Sequence, residues 1–532
     1  MKKRIISLTL TLLLVGGFFT RCEQKLNLSP LGTLDELTYY QSENDFKSAV
    51  LLSYSTLLNY TFEQFDGGGW LQTMMLPDDD ATTANNNINN LEIFNWLPEG
   101  GPFRSMWETT YKGIQRSNII IEKIPDATGL SPEQAKVFDG EARFLRAYFN
   151  FILAHQFGTA PLVELTPRTV EATRAASSKP GELWDAVIAD LRIAKANLPE
   201  KWDNNNLGRA DRIAATGLLG KVLLYRAQWE KKPELYTQAA AEFESIIGKR
   251  SLIANFGNNF RPSAENNTES IFEIQMGIGG PGGNPWLPAD FGGIGAAGSG
   301  RLIYMRAACG LNPANCAPGA NGQGYGQVQI TRPLQMAFEP GDPRRAATLF
   351  LDGDAYNTGS NSNGSQGWIF RGVWSATGSS PAKYVLGDNN LDFRSPLSVN
   401  NQRVIRYADV LLMLAECKIL GPAKDLAGAA ALINQVRRRA DPTGNILPNV
   451  AVAAEAAMFR ALRHERRVEL ALEDHRYNDL VRWHRAGLIN IKTDIDFGRP
   501  EANRAWSEKN LIKPIPLSEI DLNPGLVQNA GY

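Results

Sequence analysis

A histidine followed by a glutamate on a helical stretch opens a zinc-hydrolase motif, and His464-Glu465 is such a pair. The motif needs a second histidine one turn on, so that two imidazoles share a face and hold the metal. Val468 stands there and cannot ligate. Glu465, Glu469 and Glu473 instead recur at one-turn spacing among neighbouring arginines, which reads as ion pairs joining helices. Asp352-Gly353-Asp354 begins like a calcium loop, but Tyr356 occupies the next ligand position. Asp78-Asp79-Asp80 offers three carboxylates, yet consecutive residues do not converge easily on one ion, so a solvated turn is expected. A glycosidase needs two carboxyls facing each other across a cleft, and no local signature marks them. No Cys or His pair has zinc spacing. No catalytic residue, metal ligand or cofactor is assigned.

Binding chemistry is better represented. Sugar rings present apolar C–H faces that stack on Trp and Tyr, while their hydroxyls take hydrogen bonds from Asn, Asp and Arg. Trp70, Trp96, Trp286, Tyr304 and Tyr325 all lie in or beside loops with such polar neighbours and are the candidate ligand contacts. Each also has the plainer reading of a half-buried aromatic. Trp107, Trp184, Trp229 and Trp483 sit on helical faces and are expected in the core. Cys417 lies inside an apolar helical run and reads as core, whereas Cys309 and Cys316 in a Gly/Pro/Asn-rich stretch could be bridged or free.

The elements that must carry these residues follow from periodicity. Lys2, Lys3 and Arg4 precede a mostly apolar run from Ile5 to Phe19, an export signal, and Cys22 follows it directly. A cysteine in that place points to lipid attachment, each buried methylene of the acyl chain tethering the protein by about 0.8 kcal/mol. Thr20 and Arg21 depart from the small residues expected before such a cysteine. Residues 1–21 are read as signal peptide and 22–42 as anchor and tether. Over 43–252 helical spacing dominates, broken by a long loop from Asp66 to Pro102. Ser131-Pro132-Glu133 starts one helix, which runs to Gly158. Ala214, Leu218, Leu219, Val222 and Leu223, then Ala239, Ala240, Phe243 and Ile246, resemble a tetratricopeptide repeat, where small residues let two antiparallel helices approach. Tyr407 to Leu420 with Ala429 to Arg439 forms a second such pair. Between them, 253–401 turns rich in Gly, Asn, Ser and Pro, with short β-like runs such as Ser270 to Ile274, and residues 402–532 return to helix. Loops held on a rigid scaffold usually carry function, so the middle region is the expected ligand-binding part.

With 43% hydrophobic and 21% charged residues, the composition is that of a globular protein, and a net charge of -1 gives no field that would favour nucleic acid.

The closing third is similar to a known family. Arg403-Val-Ile-Arg406-Tyr407-Ala-Asp409, continuing to Ala415-Glu416, resembles a helix of the SusD/RagB family. Ile433-Asn434-Gln435-Val436-Arg437 resembles a second motif of that family. Glu465-Arg466-Arg467-Val-Glu469-Leu470 with Glu473, Arg476, Asp479-Leu480 and Arg482-Trp483 resembles its most charged one, and Pro514-Ile515-Pro516 with Gln528-Asn529 and Gly531-Tyr532 its tail. Phe144-Leu145-Arg146-Ala147 leading to Gly158 and Pro161-Leu162-Val163 fits upstream. The resemblance implies a mainly α, SusD-like fold, with tetratricopeptide-type helix pairs packed against a loop-rich ligand-binding half of minor β content, all one domain. It further implies an outer-membrane, surface-exposed lipoprotein anchored through Cys22. Such a protein captures an oligosaccharide without changing it and passes it to a TonB-dependent, SusC-like barrel. Ala81 to Asn87 carry no aromatic before Phe94 and Trp96, which departs from starch-binding members. The alternatives are a RagB-like peptide binder, a hydrolase, and a repeat scaffold.

Overall fold

The computed structural model describes residues 39–60, 70–86, 88–276, 305, 326–356, 368–384, 400–494 and 505–532. Helix α1 (Glu43–Ser55) starts at a capping box between Ser42 and Asp45. The stretch expected to be one long loop contains the short helix α2 (Trp70–Met75) and strand β1 (Ala81–Thr82). Long helices follow. They are α3 (Gly101–Lys123), α4 (Pro132–Gln156), α5 (Glu182–Asn197), α6 (Arg212–Trp229) and α7 (Glu234–Glu244). The expected start of α4 is present, Ser131 and Gln134 capping each other with proline at the first helical position. Its end is at Gly158, whose φ of 76° lets its N–H turn back to the Leu153 carbonyl at 3.0 Å.

Successive helices from α3 to α7 pack on one another. Close approach is bought by glycine: a Cβ on Gly220 of α6 would lie 2.5 Å from the Phe243 ring of α7, and one on Gly113 of α3 would lie 2.3 Å from the Phe149 ring of α4. The helix pair read from the alanines of α6 and α7 is therefore real, with glycines making the tightest contacts.

Among its described residues the middle region supplies short strands, with the short helices Arg332–Ala337 and Arg344–Thr348 between them. The strands are β2 (Ser270–Ile274), β3 (Gln329–Ile330), β4 (Leu349–Leu351), β5 (Ala355–Tyr356), β6 (Trp368–Ile369), β7 (Ser379–Pro381) and β8 (Gln402–Arg406). All pair antiparallel in twos: β1 with β3, β2 with β8, β4 with β7, and β5 with β6. The β2–β8 pair brings the two ends of the loop-rich stretch together, Ser270 opposite Arg406 and Ile274 opposite Gln402. Strand β8 runs straight into α8 (Tyr407–Leu420), followed by α9 (Leu426–Ala440), α10 (Glu455–Leu470), α11 (Arg476–Arg485) and α12 (Leu517–Leu522).

Two large cores result. One fills the helical layers and includes Trp107, Trp184, Trp483 and Cys417, with Trp229 half-buried against it, as their spacing predicts. The other lies under the loop-rich half, around Phe256, Ile330, Phe350, Phe370 and Tyr384. Helix α2 straddles them, Met74 entering the first and Leu71 and Met75 the second. Among the described residues no helix is long and apolar enough to cross a membrane.

Candidate functional site

The seam between the two cores is held by buried charge. Arg406, at the end of β8, donates to Glu473 at 2.8 Å, Glu469 at 2.6 Å and Glu269 at 2.8 Å. Arg344 reaches Glu469 at 3.0 Å from the other side, and Lys383 reaches Glu473 at 2.8 Å. Burial opposes ionisation of Glu473, but Arg406 and Lys383 outweigh it and hold its carboxyl at about 2. Glu465 and Glu469 thus make the interhelical ion pairs their spacing predicts, to Arg437 and Arg439 of α9, whereas Glu473 lies beyond the end of α10 and pairs with Arg406 of β8 and with Lys383 instead.

Asp78-Asp79-Asp80 is a second such device and corrects the expected solvated turn: all three are buried. Arg476 donates to both oxygens of Asp79, at 2.7 and 2.9 Å, and Arg467 to Asp80 at 2.7 Å. Asp78 accepts the backbone N–H groups of Asp80 and Ala81 at 2.8 and 2.9 Å, closing the turn. Burial pushes Asp79 up, but Arg467 and Arg476 win and draw it down to about 2. Burial and then the charges of Asp80 and Asp79 raise Asp78 well above the carboxylate range. The turn clamps β1 against β3, and Glu92 locks the segment beyond it by accepting from Thr82 Oγ1 at 2.6 Å and Thr83 N at 3.0 Å.

Trp70 opens α2 just ahead of this turn, half-buried, at a notch of about 60 Å³ on the seam. Tyr148 and Phe151 line it from α4, Leu218 and Lys221 from α6, Gln402 to Val404 from β8, and Asp474, His475 and Asn478 from the start of α11. Gln402 donates to Asp474 at 2.9 Å, while its buried Oε1 accepts no hydrogen bond among the described residues. Arg403 donates from Nη1 to the Asn401 carbonyl at 2.8 Å, and its buried Nη2 is likewise unused there. A buried polar atom without a partner costs about 1–3 kcal/mol, which a ligand hydroxyl or a water recovers. On the floor, Lys221 lies 3.3 Å from both Asp409 and His475. Burial and then the Lys221 charge push His475 down to about 4, so it is neutral at pH 7. The notch therefore offers an aromatic face, with Gln402 and Arg403 in its lining holding polar atoms buried just behind the surface, while its charged floor is internally paired.

Of the two sequence-predicted contacts among the described residues, Trp70 is placed at this seam. Trp96 is a correction: it is 1% exposed, its Nε1 donates to the Leu91 carbonyl at 3.1 Å, and its ring packs against Phe94, Phe103 and Tyr477. The polar loop around it misled, because the turn after Phe94 folds the indole inward. Trp286, Tyr304, Tyr325 and Cys22 lie outside the described residues, as do Cys309 and Cys316. Gln402, Asp474 and Asn478 were not singled out from sequence. Their signal was weak, since polar residues at the rims of strongly charged segments look like more of the same network.

Two family models match the chain. One is described as SusD family and spans residues 320–532; the other, described as starch-binding associating with outer membrane, spans 63–224. A SusD-like protein of Formosa agariphila is 26% identical over 555 aligned positions that cover 96% of each chain. Another SusD-like protein, from Bacteroides ovatus, is 25% identical across 91% of this chain and 83% of its own. A solved laminarin-binding SusD-like protein superposes with a TM-score of 0.71 at 25% identity, covering 93% of this chain and 100% of that one. Surface glycan-binding protein A from Bacteroides uniformis superposes with a TM-score of 0.73 at 21% identity over 92% of this chain and 100% of its own, a likeness of fold.

Proposed function

Because the chain belongs to the SusD/RagB family, we propose that it is a surface lipoprotein, anchored through Cys22, that captures an oligosaccharide and delivers it to a TonB-dependent barrel without altering it. The observation that carries the glycan assignment is the Trp70 notch, where a half-buried indole adjoins Gln402 and Arg403, each with an unspent buried polar atom. Stacking on the ring and hydrogen bonds to such atoms are the two contacts a sugar makes. The description of the 25%-identical solved neighbour as laminarin binding supports the reading. The notch alone is too small to hold a chain of sugars, so Trp286, Tyr304 and Tyr325 remain proposed as further contacts. Capture at the cell surface raises the local substrate concentration, and closure over the barrel would then commit the ligand.

The test is calorimetric binding of the protein from Glu23 onward to a panel of oligosaccharides and peptides, repeated with Trp70→Ala, Trp286→Ala and Tyr325→Ala. Saturable glycan binding without product, weakened about tenfold in a folded Trp70→Ala variant, is the expected result. Peptide binding alone would overturn the glycan assignment, and product formation would overturn the binding-only role. Co-purification of a barrel with wild-type protein but not with Cys22→Ala checks anchoring and partner together.

A further inference from the structure

A second concavity, built from other elements, has no part in the notch. It is an open pocket of about 400 Å³ between the α5–α6 connection, the turn after α7 and the strand β2. Trp202 forms one wall. Its Nε1 donates to the Ala210 carbonyl at 2.9 Å, and the Arg209 guanidinium sits 4.0 Å over its ring. Arg209 is itself fixed by Glu141 at 2.7 Å, so the indole is held at its edge and on one face while staying half-exposed.

The opposite wall is equally set. Ser251 N donates to the Thr268 carbonyl at 3.0 Å, and Asn267 Nδ2 to the Ala264 carbonyl at 2.8 Å. Arg250 bridges Ser270 O at 3.1 Å and Asp211 at 2.7 Å. Its walls are therefore ordered before any ligand arrives.

Among the lining residues four cations, Lys201, Arg209, Lys249 and Arg250, face two carboxylates, Asp211 and Glu273, with Glu200 and Asp203 adding negative charge at the outer edge. Arg209 and Arg250 are answered by Glu141 and Asp211, and the buried Glu273 by Arg403. Lys201 makes no ion pair among the described residues, and Lys249 meets only Glu200, at 3.6 Å between exposed side chains. Such an exposed pair is weak and easily exchanged for another anion. An unpaired ammonium and a loosely paired one thus flank a pinned indole, in a volume that suits one or two sugar rings.

We propose that this pocket binds an acidic saccharide, one ring stacking on Trp202 while its carboxylate or sulfate meets Lys201 and Lys249. It is a second binding site, and it stands whether or not the Trp70 notch takes a glycan. Oligosaccharides bearing uronic acids or sulfate esters share the chemistry that the two ammonium groups recognise.

The test titrates purified Trp70→Ala protein with tetragalacturonate, with a sulfated galactose oligosaccharide and with a neutral glucose tetrasaccharide. Tetragalacturonate or the sulfated oligosaccharide should bind, more weakly as salt is raised, and the neutral one at least about tenfold more weakly. Lys201→Glu/Lys249→Glu, which changes only exposed side chains, should weaken acidic binding at least about tenfold, and Trp202→Ala should do the same. Binding of one acid type and not the other supports the site and names its anion. Absence of acidic binding, or affinity unchanged by the double lysine variant, overturns it. Neutral-glycan binding to the wild type tests the Trp70 notch separately.

Discussion

Replacing Arg476 by methionine isolates the part played by the buried aspartates. The guanidinium makes two hydrogen bonds to Asp79, at 2.7 and 2.9 Å, and Arg467 is left as the remaining cation, 3.1 Å from Asp79 and 2.6 Å from Asp80. Removing one partner of a buried ion pair costs about 3–5 kcal/mol, and the surviving Arg467 favours the lower end, about 3 kcal/mol. At about 2.1 cal/mol/K per residue, a chain of 532 residues unfolds with an entropy of about 1.1 kcal/mol/K, so the melting temperature should fall by about 3 °C. The pH dependence has a definite sign. In the wild type Asp79 is held down to about 2, so its contribution is complete above the unfolded value near 3.8 and disappears as pH falls through 2. In the variant the same buried carboxyl keeps Arg467 but loses the charge and both hydrogen bonds of Arg476, so it takes up a proton more readily and acid relieves the penalty. Calorimetric melts should therefore show a smaller gap between variant and wild type at about pH 4.5 than at pH 7. Adding Asp79→Asn should recover much of the loss, since the unpaired charge is gone. A gap independent of pH, or a double variant less stable than Arg476→Met alone, would refute the reasoning.

Other outcomes follow from single contacts. Lys513, buried and pushed by burial down to about 7, carries a charge penalty that is full below pH 7 and is relieved as pH rises toward 10.5; Lys513→Met should therefore raise the melting temperature more at pH 6 than at pH 9.5, in buffered thermal melts. Gly220→Ala would place a methyl 2.5 Å from the buried Phe243 ring and should cost about 1–3 kcal/mol, seen as a lower urea midpoint with unchanged slope. Trp96→Phe removes the hydrogen bond to Leu91 and part of a packed ring, so it should destabilise by about 2 kcal/mol while glycan affinity, by calorimetry, stays at the wild-type value.

The sequence by itself determined the long helices and the class of the fold, because apolar spacing and caps act locally, while short helices such as α2 escaped it. Ser131-Pro132 began α4, Gly158 ended it, and the alanines of α6 and α7 marked a close pair. Ordered motifs such as Glu465 to Trp483 were legible as well, since glutamates and arginines one turn apart on a helix can only be paired across it or solvated. Tertiary structure decided which of those two it was. Asp78 to Asp80 looked like a solvated turn, and what buries them are Arg467 and Arg476, nearly four hundred positions away in the chain. It likewise decided which aromatics face a cleft: Trp70 and Trp96 sit in similar polar surroundings in sequence, yet one borders the seam between two cores and the other is enclosed by Phe94, Phe103 and Tyr477. The physical reason is range. Periodicity and capping depend on neighbours within a turn or two, whereas burial, charge pairing and the shape of a pocket depend on partners that only the folded chain brings together.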